Sequence, residues 1–240
     1  MITFECRKIA LAPQGRVLDI GCGSGRHSTA IHQRWQAFIV AADRNPDDLA
    51  AAGRNLAWHD AHGFHCHGTW HLTAADITAL PFAADSFDLV VCSEVLEHVP
   101  DHERAVIEIT RVVRPGGQLV ISVPRTWPER LCWKLSSSYR HSPGGHIRIY
   151  TFDRLRQTLT EAGLRYRERH FAHSLHTPFW LLKCLTGLDS RQIPVRLYQR
   201  FLTWYTLKNP ALFARLEKIL DPVLGKSLVV YCRKPRDISS

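Results

Sequence analysis

Val17-Leu-Asp-Ile-Gly-Cys-Gly-Ser-Gly25 decides the fold of this chain. Three apolar residues, Val17, Leu18 and Ile20, with Asp19 among them, run into three glycines at alternate positions. That is the pattern of a buried strand ending in a tight turn, and it predicts a strand over Arg16–Gly21 with a helix over Ser24–Trp35. In an open α/β sheet, ligands bind beyond the carboxyl ends of the strands, and the first strand-to-helix turn comes closest to them. Glycines at 21, 23 and 25 let that turn bend sharply and approach a ligand without Cβ clashes. The spacing is GxGxG, one residue shorter than the GxGxxG of dinucleotide enzymes, and an acidic residue, Asp19, precedes it.

Outward from this turn, strand and helix signals alternate. Ala37–Asp43 reads as a second buried strand, and Pro46 opens a helix to about Trp58, with Asp47 and Asp48 at its positive end. A third strand is expected from about Trp70 to Ala75 and a fourth over Phe87–Ser93. A helix follows over Asp101–Val113, then a turn at Arg114-Pro-Gly-Gly117 and a fifth strand over Gln118–Val123. A helix over Phe152–Ala162, a strand near Leu164–Phe171 and a last strand over Ser227–Cys232 complete the set. Near-continuous apolar strands separated by helices imply a mostly parallel sheet covered on both faces.

The totals agree with one α/β domain plus a modest elaboration: 240 residues, 45% of them hydrophobic and 22% charged. Nothing approaches an uninterrupted membrane-spanning run, and the first residues lack a signal-peptide pattern. Seven scattered cysteines without a CxxC pair read as free thiols of a reducing cytoplasm. Charge is split unevenly. Residues 1–124 hold 10 Lys/Arg against 14 Asp/Glu, a net of −4, whereas residues 125–240 hold 21 against 8, a net of +13. The back half is therefore suited either to a solvated basic face or to an anionic partner such as a lipid surface.

Three further features stand in order behind the glycine turn. Asp43 ends the second strand, where a carboxylate can accept from both ribose hydroxyls. Asp76 follows the third, in reach of an adenine amino group. Phe87-Asp-Leu-Val-Val-Cys-Ser-Glu-Val-Leu-Glu-His-Val99 precedes Arg111-Val-Val-Arg-Pro-Gly-Gly-Gln-Leu119. With these motifs, residues 14–163 resemble the class I S-adenosylmethionine (SAM)-dependent methyltransferases, in the small-molecule branch related to ubiquinone and menaquinone methyltransferases. The resemblance implies a doubly wound, Rossmann-like, mostly parallel sheet of seven strands, its last strand antiparallel, with a helical insertion before that strand. It implies SAM as cofactor. Gly21, Gly23 and Gly25, with Cys22, would line the methionine and ribose portion, and Asp19 would anchor the amino-acid end through the loop. Asp43 with Arg44 would hold the ribose, Asp76 with Ile77 would frame the adenine, and Ser93 would lie beside the reacting methyl. On this division residues 1–172 and 225–235 form the core, 173–224 a helical aromatic cap, and 236–240 a tail.

Methyl transfer to oxygen benefits from a base, and two histidines are candidates: His98, after the fourth strand, and His146, beyond the fifth. Each also reads as an ordinary loop or turn residue. Glu94, Glu97 and His98 match the E-V-x-E-H pattern with which some quinone O-methyltransferases hold a divalent cation, but the same letters occur in many metal-free relatives, and the histidine-rich run between His59 and His71 matches no regular zinc frame, so no metal is assigned. Cys-Ser-Glu-Val after the fourth strand departs from the Asn/Asp-Pro-Pro-Tyr/Phe of many adenine and glutamine methyltransferases, and no DNA partner is expected. Residues 178–188 and 195–207 form two aromatic, helix-length segments flanked by Arg and Lys. They suit a packed cap, a lid over a hydrophobic substrate, or an element lying on an anionic membrane through residues 176–208. The expected function is methylation of a small apolar or amphiphilic acceptor, on oxygen first and carbon next. The alternatives are action on RNA or protein through the basic half, and SAM binding without catalysis.

Overall fold

The computed structural model describes residues 2–208 and 210–236. The tail read at 236–240 lies, beyond Arg236, outside the described residues.

Seven strands make one sheet: β1 (Gly15–Ile20), β2 (Ala37–Asp43), β3 (Thr69–Ala74), β4 (Phe87–Ser93), β5 (Val113–Pro124), β6 (Arg165–Ala172) and β7 (Ser227–Arg233). Their order is β3-β2-β1-β4-β5-β7-β6. The first five are parallel, while β7 runs antiparallel to both β5 and β6. The expected fold class is therefore the observed one. Between strands lie α1 (Arg26–His32), α2 (Pro46–Ala61), α3 (His102–Val112), α4 (Thr126–Leu135), α5 (Ser137–Arg140) and α6 (Phe152–Glu161). Helices α7 (His176–Thr186), α8 (Ile193–Lys208) and α9 (Ala211–Leu224) form the insertion before β7.

Strand alternation separates two cores. Leu18, Ile20, Val90, Cys92, Leu119 and Ile121 face one layer with Val106 and Ile109 of α3 and Leu155 of α6. Val17, Ile39, Leu89, Val91 and Val120 face the other, with Ile31 of α1 and Phe4. Side chains of period two on strands and of period three to four on helices meet in this way because both faces of a parallel sheet must be dry. Capping is local and legible. Asn45 accepts from the Asp47 amide with Pro46 at the first position of α2, and Asp101 and Thr151 cap α3 and α6.

Two differences from the sequence reading have physical causes. The residues read as the turn 114–117 belong to a bulge within one long strand: Phe87 pairs with Val113, but Leu89 pairs with Gln118. Gly116, at φ +79°, makes that excursion possible. The reading placed no element between residues 124 and 152, where α4 and α5 lie. Ser136 caps α5 by accepting from the Tyr139 amide.

Candidate functional site

The parallel order reverses at β1, with β2 on one side and β4 on the other, so the crevice opens above their carboxyl ends. A cavity of about 500 Å³ lies there, lined among others by Gly21, Asp43, Arg44, Asp76, Ile77, Glu94 and His98. Gly21, Gly23 and Gly25 all have positive φ, at +68°, +52° and +79°. A Cβ on Gly21 would collide with Val95, and one on Gly25 would press on Ala52 at 3.0 Å. A Cβ on Gly23 would meet nothing, so that backbone faces open space. Asp43 fixes this loop from the end of β2. Its Oδ2 accepts from the Gly23 amide at 2.9 Å and its Oδ1 from the Asn45 amide at 2.9 Å. Asp76 accepts from the amide and hydroxyl of Thr78, and these bonds hold its carboxyl below the usual range.

The other expected contacts sit elsewhere. Asp19 is buried and accepts from the amide and hydroxyl of Ser28, at 2.9 and 2.6 Å. It ties the first turn of α1 to β1 rather than facing the cavity. Burial pushes its carboxyl up to about 6 against those bonds. The Cys22 thiol is buried against Ala41, Leu49 and Ala52 under the loop. Ser93 is also buried, bonded to Thr3 at 3.0 Å and to Ser122 at 2.8 Å. Ser122 in turn donates to Glu94 Oε1 at 2.9 Å, so Ser93 reaches the cavity only through this relay. Glu94 itself has φ +57°, a conformation uncommon outside glycine, and it lines the cavity.

A second cavity of about 530 Å³ adjoins the first. Arg44, His98 and Gly144 line both. The second also takes Trp133, Arg140, His141 and His146. The two candidate histidines, 48 residues apart in sequence, meet here with ring centroids 4.9 Å apart. Burial and the neighbouring His146 lower the pKa of His98. His146 Nδ1 donates to Glu129 Oε1 at 2.6 Å, and Trp133 and Tyr139 donate to the same carboxylate at 2.9 and 3.1 Å. Burial opposes ionisation of Glu129, but the hydrogen bonds it accepts, that from His146 foremost, outweigh it and hold the carboxyl below its ordinary range. Glu129, Trp133 and Tyr139 belong to α4 and α5, and no sequence pattern singled them out.

A fold of this order, with a GxGxG turn and acidic residues ending β2 and following β3, belongs to the Rossmann-like α/β class. Residues 18–121 match the family model described as a methyltransferase domain. The chain is 36% identical over 115 residues to a demethylmenaquinone methyltransferase of Clavibacter sepedonicus, covering 48% of this chain and 43% of that protein. It is 36% identical over 114 residues to a ubiquinone biosynthesis O-methyltransferase of Hahella chejuensis, covering 47% and 44%. Over the first four curated relatives, the matched stretch spans only 37 to 44% of their length. The YcgJ protein of Bacillus subtilis shares the fold at a TM-score of 0.64, with 18% identity over 96% of each chain. A SAM-dependent methyltransferase of Methanosarcina mazei does so at 0.62, with 17% identity over 95% of each. Residues 18–121 are a class I SAM-dependent methyltransferase domain, and its cofactor is S-adenosylmethionine.

The residues present fit that cofactor. Gly23 leaves open space beside the loop, and Asp43, Asp76 and Glu94 give the cavity the negative wall that suits a sulfonium and its ammonium group.

Proposed function

We propose that this protein transfers the methyl group of SAM to an oxygen of a small amphiphilic acceptor, with carbon as the next choice of atom. The observation that carries the reading is the pair of abutting cavities. One is lined by five of the expected cofactor residues, Gly21, Asp43, Arg44, Asp76 and Ile77, and the other meets it at Arg44, His98 and Gly144. The sulfonium of SAM supplies an already activated methyl, so the chain's own task is alignment, exclusion of water and handling of the acceptor's proton. Asp43 and Asp76 are assigned to the ribose and the adenine, and the Gly21–Gly25 backbone to the methionine side. His98 and His146 face the acceptor, with Glu129 orienting His146 for proton transfer. With SAM bound, this histidine pair would take the acceptor's hydroxyl proton as the methyl passes to its oxygen.

The acceptor's amphiphilic character is supported by the insertion. Leu185, Ile193, Leu197, Leu207, Leu212 and Ile219 of α7–α9 are exposed. Arg196, Arg200 and Lys208 line a surface groove with Trp204. Apolar residues beside cations suit the interface of an anionic membrane, from which such an acceptor would be drawn. Among the described residues no helix is long and apolar enough to cross a membrane.

Incubating the protein with methyl-labelled SAM and separated polar and lipid fractions of cell extract tests this. The expected result is one labelled small molecule from the lipid-soluble or amphiphilic fraction. Label confined to RNA or protein, or no label despite SAM binding, would overturn it.

A further inference from the structure

The wall of the second cavity carries positive charge that methyl transfer itself does not need. Arg44 and Arg140 both line it, and no carboxylate does among the described residues. Among those residues neither guanidinium forms an ion pair. Arginines that serve the fold are matched instead: Arg111 lies 2.8 Å from Glu108, and Arg114 is paired with Asp88.

Arg140 is held in place by a fixed support. Its guanidinium carbon lies 5.3 Å from the centroid of the Trp133 ring. That ring is anchored, because its Nε1 donates to Glu129 Oε1 at 2.9 Å. Tyr139, the neighbour of Arg140 on α5, donates to the other oxygen of the same carboxylate at 3.1 Å. Glu129 Oε1 also accepts from His146 at 2.6 Å. One buried carboxylate thus sets three things: the proposed base, an indole platform and the turn that carries Arg140. A guanidinium stacked on an indole uses its face and keeps its edge of N–H donors free, in a fork that matches the oxygens of a carboxylate or phosphate.

We infer that the acceptor carries an anionic group, a carboxylate or a phosphate, and that Arg140 on the Trp133 platform selects it, with Arg44 adding positive charge where the two cavities join. This rests on the acceptor reading above and names the acceptor's class: a hydroxy acid or a phosphorylated alcohol, amphiphilic through an ionised head. His98 lines both cavities and Arg140 only the second. The hydroxyl to be methylated therefore lies at the His98 end and the anionic group toward Arg140. The carboxylate of SAM does not account for Arg140, which is absent from the lining of the cavity that holds the cofactor residues.

The test is calorimetry on the wild-type chain saturated with S-adenosylhomocysteine, the demethylated cofactor. The probes are para-hydroxyphenylacetate, phenyl phosphate and the neutral alcohol tyrosol. At least one anion should bind roughly tenfold more tightly than tyrosol, and which of them does so separates a carboxylate head from a phosphate. Arg140→Gln should weaken that anion roughly 30-fold and Arg140→Lys about three- to tenfold, because an ammonium keeps the charge but not the fork. Arg54→Gln, which removes the same charge from an exposed position on α2, should change it by less than about twofold. SAM affinity should stay within about threefold in all three variants. Arg140 is exposed, so its variants are expected to fold. The inference is overturned if tyrosol binds as tightly as both anions, or if neither anion binds measurably. Wild-type anion affinity in Arg140→Gln, or a parallel loss of SAM affinity, would overturn it as well. In the labelling experiment, an amphiphilic product that passes an anion exchanger unretained would sink this inference alone and leave methylation of a small acceptor standing. Label confined to RNA or protein would remove both.

Discussion

The two cavities are walled by opposite charge. The cofactor cavity has Asp43, Asp76, Glu94 and Asp101 on its lining against the single cation Arg44. The second cavity, proposed for the acceptor, has no carboxylate among the described residues of its lining and carries Arg44 and Arg140. In a partly water-excluded cleft such partition acts at short range and is weakly screened. On the proposed function, a positively charged donor would be drawn to one side and an electron-rich acceptor to the other. The two would then meet at His98, which lines both cavities.

Variants on either side should separate these roles. The largest effect is expected on the acceptor side: His146→Ala should lower turnover on the extract-identified acceptor 10²- to 10⁴-fold while SAM affinity stays within threefold. An equal loss of SAM binding would show that the cavities are not functionally distinct. On the cofactor side, Gly21→Ala combines a left-handed backbone with a collision against Val95, and should cost about 2–4 kcal/mol of stability, read from urea midpoints. A shift below 0.5 kcal/mol would mean that the loop relaxes freely.

A smaller effect concerns the base of the insertion. Burial lowers His173 to about 3 and His176 to about 4, so both are neutral in the folded protein. Because the unfolded chain binds these protons more tightly, their stabilising contribution is present above about pH 6.5 and is lost as pH falls from there through the folded values. The pair His173→Gln and His176→Gln should flatten the loss of urea stability between pH 6.5 and 4 relative to wild type. An unchanged slope would contradict their burial as neutral groups. The smallest effect is at the surface. Leu197→Ser with Leu207→Ser should reduce co-sedimentation with anionic vesicles severalfold without altering SAM affinity. No vesicle binding by the wild-type chain would remove the membrane from the account.

Legibility followed the range of the interactions. The cofactor half is written in local signals: Val17–Gly25 specifies strand, turn and helix within nine residues, and Pro46, Asp47 and Asn45 specify the start of α2. Roles of Asp19, Cys22 and Ser93 were less readable, because a residue type at a motif position does not say which way its side chain points. Asp19 holds Ser28, Cys22 packs under the loop, and Ser93 joins the relay to Glu94. The acceptor half depends on contacts between distant segments. Glu129 meets His146 across 17 residues, and His146 comes within 3.9 Å of Glu97 across 49, so no periodicity could announce the cluster. The bulge at 114–117 was half visible: its glycines announced a bend, but only pairing with β4 shows that the strand continues through it.

The account rests on the negatively walled cavity above β1 and β2 taking the adenosyl sulfonium. Isothermal titration of the wild-type chain and of Asp43→Ala with SAM tests this most directly. One SAM per wild-type chain is predicted, with affinity at least 30-fold weaker in Asp43→Ala and an unchanged far-ultraviolet spectrum, since about 2 kcal/mol accompanies loss of a charged hydrogen-bond acceptor. A wild-type chain that binds no SAM, or an Asp43→Ala chain that binds it equally well, would contradict the account.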